Sequence, residues 1–273
     1  MKRCFKYLTI TIVLVAMCAC SKEQEDVHYV PRTPVGRQLL DNCSEVARVF
    51  RDTTFLITVG VEETDLQVQT GTGYIQQLHI IRVDTNVPGV RMSVAMPNNS
   101  INVSAGWSRQ TVTDMASRMD APRARVVAMV NGDFREGVAP IHPRGPVHKG
   151  GTIVSSSWDF NPMQAQQGLS FVGVRDNGLM IIAPRSKYEE YKESLRECTG
   201  AGFMLLSNGK FPGSDYLARD PRNSIGYTDD GIVWLLNCDG RKPFGADGMT
   251  YKEMAYVFQA LGCVGAVNMD GGG

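Results

Sequence analysis

Three apolar runs in this chain each stop at a polar side chain beside a glycine, and this recurrence constrains the fold more than any other feature. Gly265-Ala266-Val267-Asn268-Met269 runs into Asp270-Gly271-Gly272-Gly273, and Ile232-Val233-Trp234-Leu235-Leu236-Asn237-Cys238 into Asp239-Gly240-Arg241. Arg125-Val126-Val127-Ala128-Met129-Val130 runs into Asn131-Gly132-Asp133. Each run has the length and β-branched content of a buried strand. Glycine at a strand end supplies backbone freedom and lets main-chain N–H groups approach a partner closely. Taken singly, each ending is an Asp-Gly or Asn-Gly turn. Taken together, they read as strands delivering carboxylates, amides and exposed N–H groups to one polar site.

The last unit is the most legible. Thr250-x-x-Glu253 is a capping box, Met254, Val257, Phe258 and Leu261 form an apolar stripe, and Gly262 is a stop signal. The order is strand, loop, helix, strand. If the two strands run parallel, their ends share an edge, and Asp239 and Asp270 become neighbours.

Upstream, Val35, Leu39, Leu40, Cys43, Val46, Val49 and Phe50 recur at helical spacing and predict a first amphipathic helix. Residues 54–61, 67–70, 74–83 and 90–95 carry strand signals and predict an antiparallel meander. Thr111 with Asp114 opens a second helix that Pro122 closes. Residues 137–151 form a Gly- and Pro-rich loop whose His142, Arg144, His148 and Lys149 predict a solvated basic lip. Residues 169–174 and 179–182 flank Asn177-Gly178 as a hairpin, 186–198 read as a charged helix and 201–206 as a strand.

Met1 to Cys20 reads as a targeting segment: Lys2, Arg3 and Lys6, then a short apolar core, then Met17-Cys18-Ala19-Cys20. It resembles a bacterial lipoprotein signal with Cys20 as the lipidated residue and Cys18 as the alternative. The resemblance implies the cell envelope of a Gram-negative bacterium, with a lipid anchor in the outer membrane. The acidic run Glu23-Gln24-Glu25-Asp26 resembles a surface-export signal, and the alternative is an ordinary secretory signal. Residues 21–33 form a polar tether. Beyond residue 20, 25 basic residues face 28 acidic ones, a formal charge of −3, which argues against bulk nucleic-acid binding. Cys43, Cys198, Cys238 and Cys263 remain there, and their three possible pairings stay open, although Cys238 and Cys263 sit in apolar runs as buried thiols do. The absence of Cys-x-x-Cys argues against a zinc site, and no metal or other cofactor is expected.

At 43% hydrophobic residues over 273 positions, the chain supports a sizeable core. The expected architecture is one α+β domain over residues 34–273: a mixed β-sheet with flanking helices and a site at the carboxyl ends of the core strands. In that site Asp239 and Asp270 are the candidate acid, base or nucleophile. Arg222 and Arg241 offer planar forks for phosphate. The N–H groups of Gly240, Gly271 and Gly272 form an anion cradle, and Asn131, Asp133 and Asn268 line the substrate pocket.

Asn131-Gly132-Asp133-Phe134, Arg222 with Gly226, Asp239-Gly240-Arg241 and Asn268-Met269-Asp270-Gly271-Gly272-Gly273 resemble, in this order, the motifs of the phosphodiester glycosidase family. The likeness runs from about Val126 to the end. It implies hydrolytic removal of a sugar, typically N-acetylglucosamine, joined through its anomeric carbon to a phosphodiester in a glycan or lipid-linked sugar phosphate. Asp133 and Arg135 stand where that family usually has a glycine and an aromatic residue, and Asn223-Ser224 replace its Thr-Ala. The family pattern continues with serines and a further strand after the position of Gly273. The rival expectation is a glycan-binding surface lipoprotein without turnover, stacking sugars on Trp107 and Trp158.

Overall fold

The computed structural model describes residues 29–135, 141–242 and 245–271. The predicted signal, Cys20, residues 21–28 of the tether and Gly272 lie outside the described residues. Helix α1 (Pro34–Asn42) is followed by the meander β1 (Val46–Thr58), β2 (Val61–Thr70) and β3 (Ile75–Asp84). An irregular stretch carries α2 (Val112–Met119). Then come β4 (Val147–Lys149), β5 (Thr152–Ser155), β6 (Ser170–Arg175), β7 (Met180–Pro184), the one-turn helix α3 (Tyr188–Tyr191), β8 (Leu195–Ala201) and β9 (Met204–Leu206). The chain closes with β10 (Arg222–Tyr227), β11 (Ile232–Cys238), α4 (Tyr251–Ala260) and β12 (Gly265–Met269).

The strands form two sheets, β1-β2-β3-β11-β10-β12-β9 and β5-β4-β8-β6-β7. Every pair within the named strands is antiparallel. The α+β class holds, with two antiparallel sheets in place of one mixed sheet. Strands β11 and β12 do run in the same direction, but β10 lies between them, antiparallel to both. Their carboxyl ends share one edge at a separation of two strand spacings, about 10 Å.

Three layers result. Alternation along β11 sends Trp234 and Leu236 to one face and Val233 and Leu235 to the other. The first face packs on α1 and α4 through Leu39, Met254, Val257 and Phe258. The second meets Val172, Ile182 and Ala201 of the smaller sheet. Helix α4 is held by its capping box, Thr250 with Glu253, worth about 1 kcal/mol, and by its buried face, worth about 1.5–3 kcal/mol for each large side chain.

Several expectations are corrected. The first helix stops at Asn42, and Val46 and Val49 bury themselves from β1, because the same apolar residues also fit a strand with bulges. Residues 90–95 and 125–130 join no sheet. The charged helix shrinks to α3 between two 3-10 turns before β8 begins. The basic lip is not solvated as a whole, for Arg144 and His148 are 1% and 0% exposed. Within the tether, the Tyr29 hydroxyl (2.6 Å) and the Thr33 N–H (2.6 Å) already donate to Asp52. Cys43, Cys198, Cys238 and Cys263 are all free and buried.

Candidate active site

The edge where β12 ends is completed by a segment that is not a strand. The N–H of Asp270 donates to the carbonyl of Gly132 (3.1 Å), and Asn223 Nδ2 on β10 donates to the carbonyl of Asn131 (2.8 Å). The carbonyls of residues 131–132 thus accept from the side chain of Asn223 and from the backbone just beyond β12. Two glycines of the motifs are required here by close backbone approach. A Cβ on Gly271 would meet the carbonyl oxygen of Pro221 at 2.7 Å, and one on Gly240 would meet the nitrogen of the same proline at 2.5 Å.

This pinning brings Asp133 beside Asp270. Both line an open cavity of about 1780 Å³, together with Asn131, Arg135, Met269 and Gly271. Asp133 Oδ2 accepts from the N–H of Gly145 (2.6 Å), while its Oδ1 is buried without a partner. Burial pushes the Asp133 carboxyl up to about 7; backbone N–H groups of Gly145, Phe134 and Arg144 oppose the rise, and the charge of Asp270 adds to it. Asp270 is also raised by burial, with Arg135 pulling the other way. Both carboxyls are raised chiefly by burial, and the acid of Asp133 lies near neutrality.

The other expected site residues go elsewhere. Arg222 is 7% exposed. Its Nε donates to the Met249 carbonyl (3.0 Å) and one terminal nitrogen to the Ala218 carbonyl (2.8 Å), while its guanidinium lies 4.7 Å from the ring centre of Tyr251. Asn268 is paired in register with Ser224, so it points to the helix side of the sheet, opposite to Asn223 and Met269; its Oδ1 is buried without a partner. Arg241 is exposed at the turn after β11, at φ 58°. Asp239 faces His79, 3.7 Å from Nε2, and does not line the cavity of Asp133 and Asp270. Trp158 packs edge-on against Tyr188, while Trp107 lines the cavity.

Sequence reasoning placed Asp133 in the pocket lining and underrated it. The signal that could have raised it is the substitution of a glycine by a carboxylate inside a motif. Arg135 stood in the same departure.

The family model for phosphodiester glycosidases matches residues 124–273. A 60-residue stretch is 35% identical to the SPbeta prophage-derived uncharacterized protein YomE of Bacillus subtilis (strain 168), covering 22% of this chain and only 9% of that protein. Among solved structures, the fold is similar to the catalytic domain of zebrafish N-acetylglucosamine-1-phosphodiester alpha-N-acetylglucosaminidase auto-inhibited by its pro-peptide. That match has a TM-score of 0.58 at 16% identity, over 82% of this chain and 71% of that one. A hypothetical protein from Synechocystis has a TM-score of 0.58 at 14% identity, over 81% of this chain and 58% of that one.

Proposed function

The chain belongs to the phosphodiester glycosidase family, and we propose that it hydrolyses the bond between a sugar's anomeric carbon and a phosphodiester, with Asp133 and Asp270 as the working carboxyls. The observation that carries this reading is that two carboxyls, Asp270 after β12 and Asp133 in the segment pinned against it, line one cavity, with the acid of Asp133 pushed up to about 7 by burial. A phosphodiester is an anion and would be repelled by two ionised carboxylates. Keeping Asp133 neutral removes half of that repulsion and leaves a proton to donate to the oxygen that bridges sugar and phosphorus. Asp270, whose acid burial raises and Arg135 draws part of the way back, supplies the base or nucleophile toward the anomeric carbon. Arg135 and the end of β12 face the same cavity and suit the phosphate. In this reading Arg222 supports the strand from behind. Asp239 lies outside the reaction.

The sugar we assign is N-acetylglucosamine, on the strength of the family and of the zebrafish protein's activity. A lipid tether at Cys20, an outer-membrane location and a glycan or lipid-linked sugar phosphate as substrate complete the proposal. The test is release of free N-acetylglucosamine from an N-acetylglucosamine-1-phosphodiester. Turnover that disappears in Asp270→Asn supports the assignment. Binding of the intact substrate with no release would favour a glycan-binding role instead.

A further inference from the structure

The proposed reaction leaves a buried charge without a task. Arg144 sits between Pro143, which bridges to Arg135, and Gly145, whose N–H donates to Asp133 Oδ2 at 2.6 Å. Its own main chain is held on both sides. The Arg144 N–H donates to the Phe134 carbonyl (3.0 Å), and its carbonyl accepts from the Asp159 N–H (2.8 Å). The side chain, 1% exposed, reaches into residues 159–167. Nε donates to Gln167 Oε1 (3.3 Å), one terminal nitrogen donates to Gln164 Oε1 (3.2 Å), and the other pairs with Asp159. Gly145 itself has no room to drift: a Cβ there would meet Gly200 Cα at 2.7 Å and the Trp158 ring at 3.2 Å.

We infer, resting on the reading of Asp133 as the proton donor, that Arg144 is a positioning residue for the reaction: it clamps the 159–167 segment onto the 143–145 bend, holds the Gly145 N–H against Asp133 and keeps water from that carboxyl. Taking a guanidinium out of water costs several kcal/mol, and even a well-paired buried ion is a weak source of stability beside an apolar side chain of similar volume. What a satisfied buried network supplies is a single fixed geometry. The rigid fork of arginine meets three acceptors on one segment, which a flexible ammonium does not reproduce. Arg144 and Gly145 are adjacent in the chain, so movement of the clamped residue moves the N–H that meets Asp133.

The clamp has a consequence for proton transfer. Asp133 feels Asp270 from beyond β12, the Cys198 thiol from β8, and the N–H groups of Phe134, Arg144 and Gly145. The titratable neighbours of the clamp are Asp159 and His142, whose Nε2 is 3.2 Å from Asp159 Oδ2. Burial is the first cause of the raised Asp133 acid, and the three N–H groups oppose it. Loosening the cover admits water, so the acid falls toward its ordinary value of 3.8. Loss of the Gly145 N–H acts in the opposite sense, but burial is the larger cause.

The experiment compares the full chain with Arg144→Lys and with the double variant Gln164→Ala, Gln167→Ala. Lysine keeps the charge and loses the fork, and the two glutamines carry no charge to lose, so neither variant reaches Asp133 through a changed charge. Carbon-13 labelling of aspartate reads the Asp133 carboxyl directly, with Asp133→Asn to assign it. The pH profile of kcat/KM for sugar release from an N-acetylglucosamine-1-phosphodiester is measured alongside. The expected result is a titration midpoint lower by about one pH unit in Arg144→Lys, a smaller drop in the double variant, and an alkaline limb of kcat/KM that moves with the midpoint. In the unsubstituted chain the Gly145 amide proton should shift with the midpoint of Asp133, which needs no variant to fold. A folded variant whose midpoint is unmoved or raised would overturn the positioning role, even if its melting temperature falls. So would a Gly145 amide that ignores the titration of Asp133. The carboxyl titration needs no turnover: a parent that releases no sugar sinks the hydrolase reading, while the midpoints still decide whether Arg144 holds Asp133.

Discussion

Asp133 with Asp270, and Asp239 with Glu63 and Asp65, gather carboxyl side chains around one sheet, yet they meet different surroundings. The first pair is enclosed, and burial raises both carboxyls, Asp133 to about 7. The second group is about a third exposed and gathers around an imidazole. Enclosure turns a carboxylate into a proton donor, because removing water penalises the charged form. Exposure beside a histidine leaves the second group in contact with water, where Asp65 hydrogen-bonds the imidazole at 2.7 Å. The motifs present Asp239 and Asp270 as equals; β10, placed between their strands, separates their fates.

The largest expected break in this contrast is Asp270→Asn. Loss of a catalytic carboxylate should lower sugar release by about 10² to 10⁴, whereas Asp239→Asn should leave turnover within a fewfold. Equal losses would return Asp239 to the reaction. Asp133→Asn comes next, with about a 10²-fold loss in turnover and a change in pH behaviour. The folded Asp133 carboxyl sits above its ordinary value of 3.8, so the unfolded chain binds fewer protons between 3.8 and about 7. The stability Asp133 contributes is therefore complete below 3.8 and is lost as pH rises through about 7. The variant should melt higher than the parent at pH 8 and close to it at pH 4, and a parallel shift at both would remove the burial argument.

Arg222→Lys should act on stability. It forfeits the fork that reaches Met249 and Ala218, and charged hydrogen bonds of this kind contribute about 1.5–3 kcal/mol. A denaturant titration reads that loss. Turnover impaired by far more than stability would restore Arg222 as a phosphate ligand. The smallest effect is Thr250→Ala, about 1 kcal/mol from the lost cap of α4, with no change in substrate preference.

What the sequence made legible follows local physics. The capping box of α4, the Asn-Gly hairpin of β6 and β7, and the common edge of β11 and β12 each depend on residues close in the chain. The strand over 125–130 failed because an apolar run carries no information on whether a neighbour will pair with it. The side of β10 that Arg222 takes was not legible for a related reason: it follows from the alternation along a strand whose register places Asn223 opposite Met269. His148 read as solvated, but Tyr188, forty residues away, meets its ring nitrogen at 2.7 Å inside the core. Asp133 was visible as a departure from a motif, and its raised acid was not, because the groups packed against its carboxyl, Gly145 and Gly200, are distant from it in the chain.

The most direct test of the account is the pH dependence of kcat/KM for sugar release from an N-acetylglucosamine-1-phosphodiester, in the parent and in Asp133→Asn. The account predicts a bell whose alkaline limb falls near pH 7 as Asp133 loses its proton, and predicts that this limb vanishes from the weakly active variant. A rate that stays flat from pH 5 to about 9, or an alkaline limb retained in Asp133→Asn, would contradict the assignment of Asp133 as the proton donor.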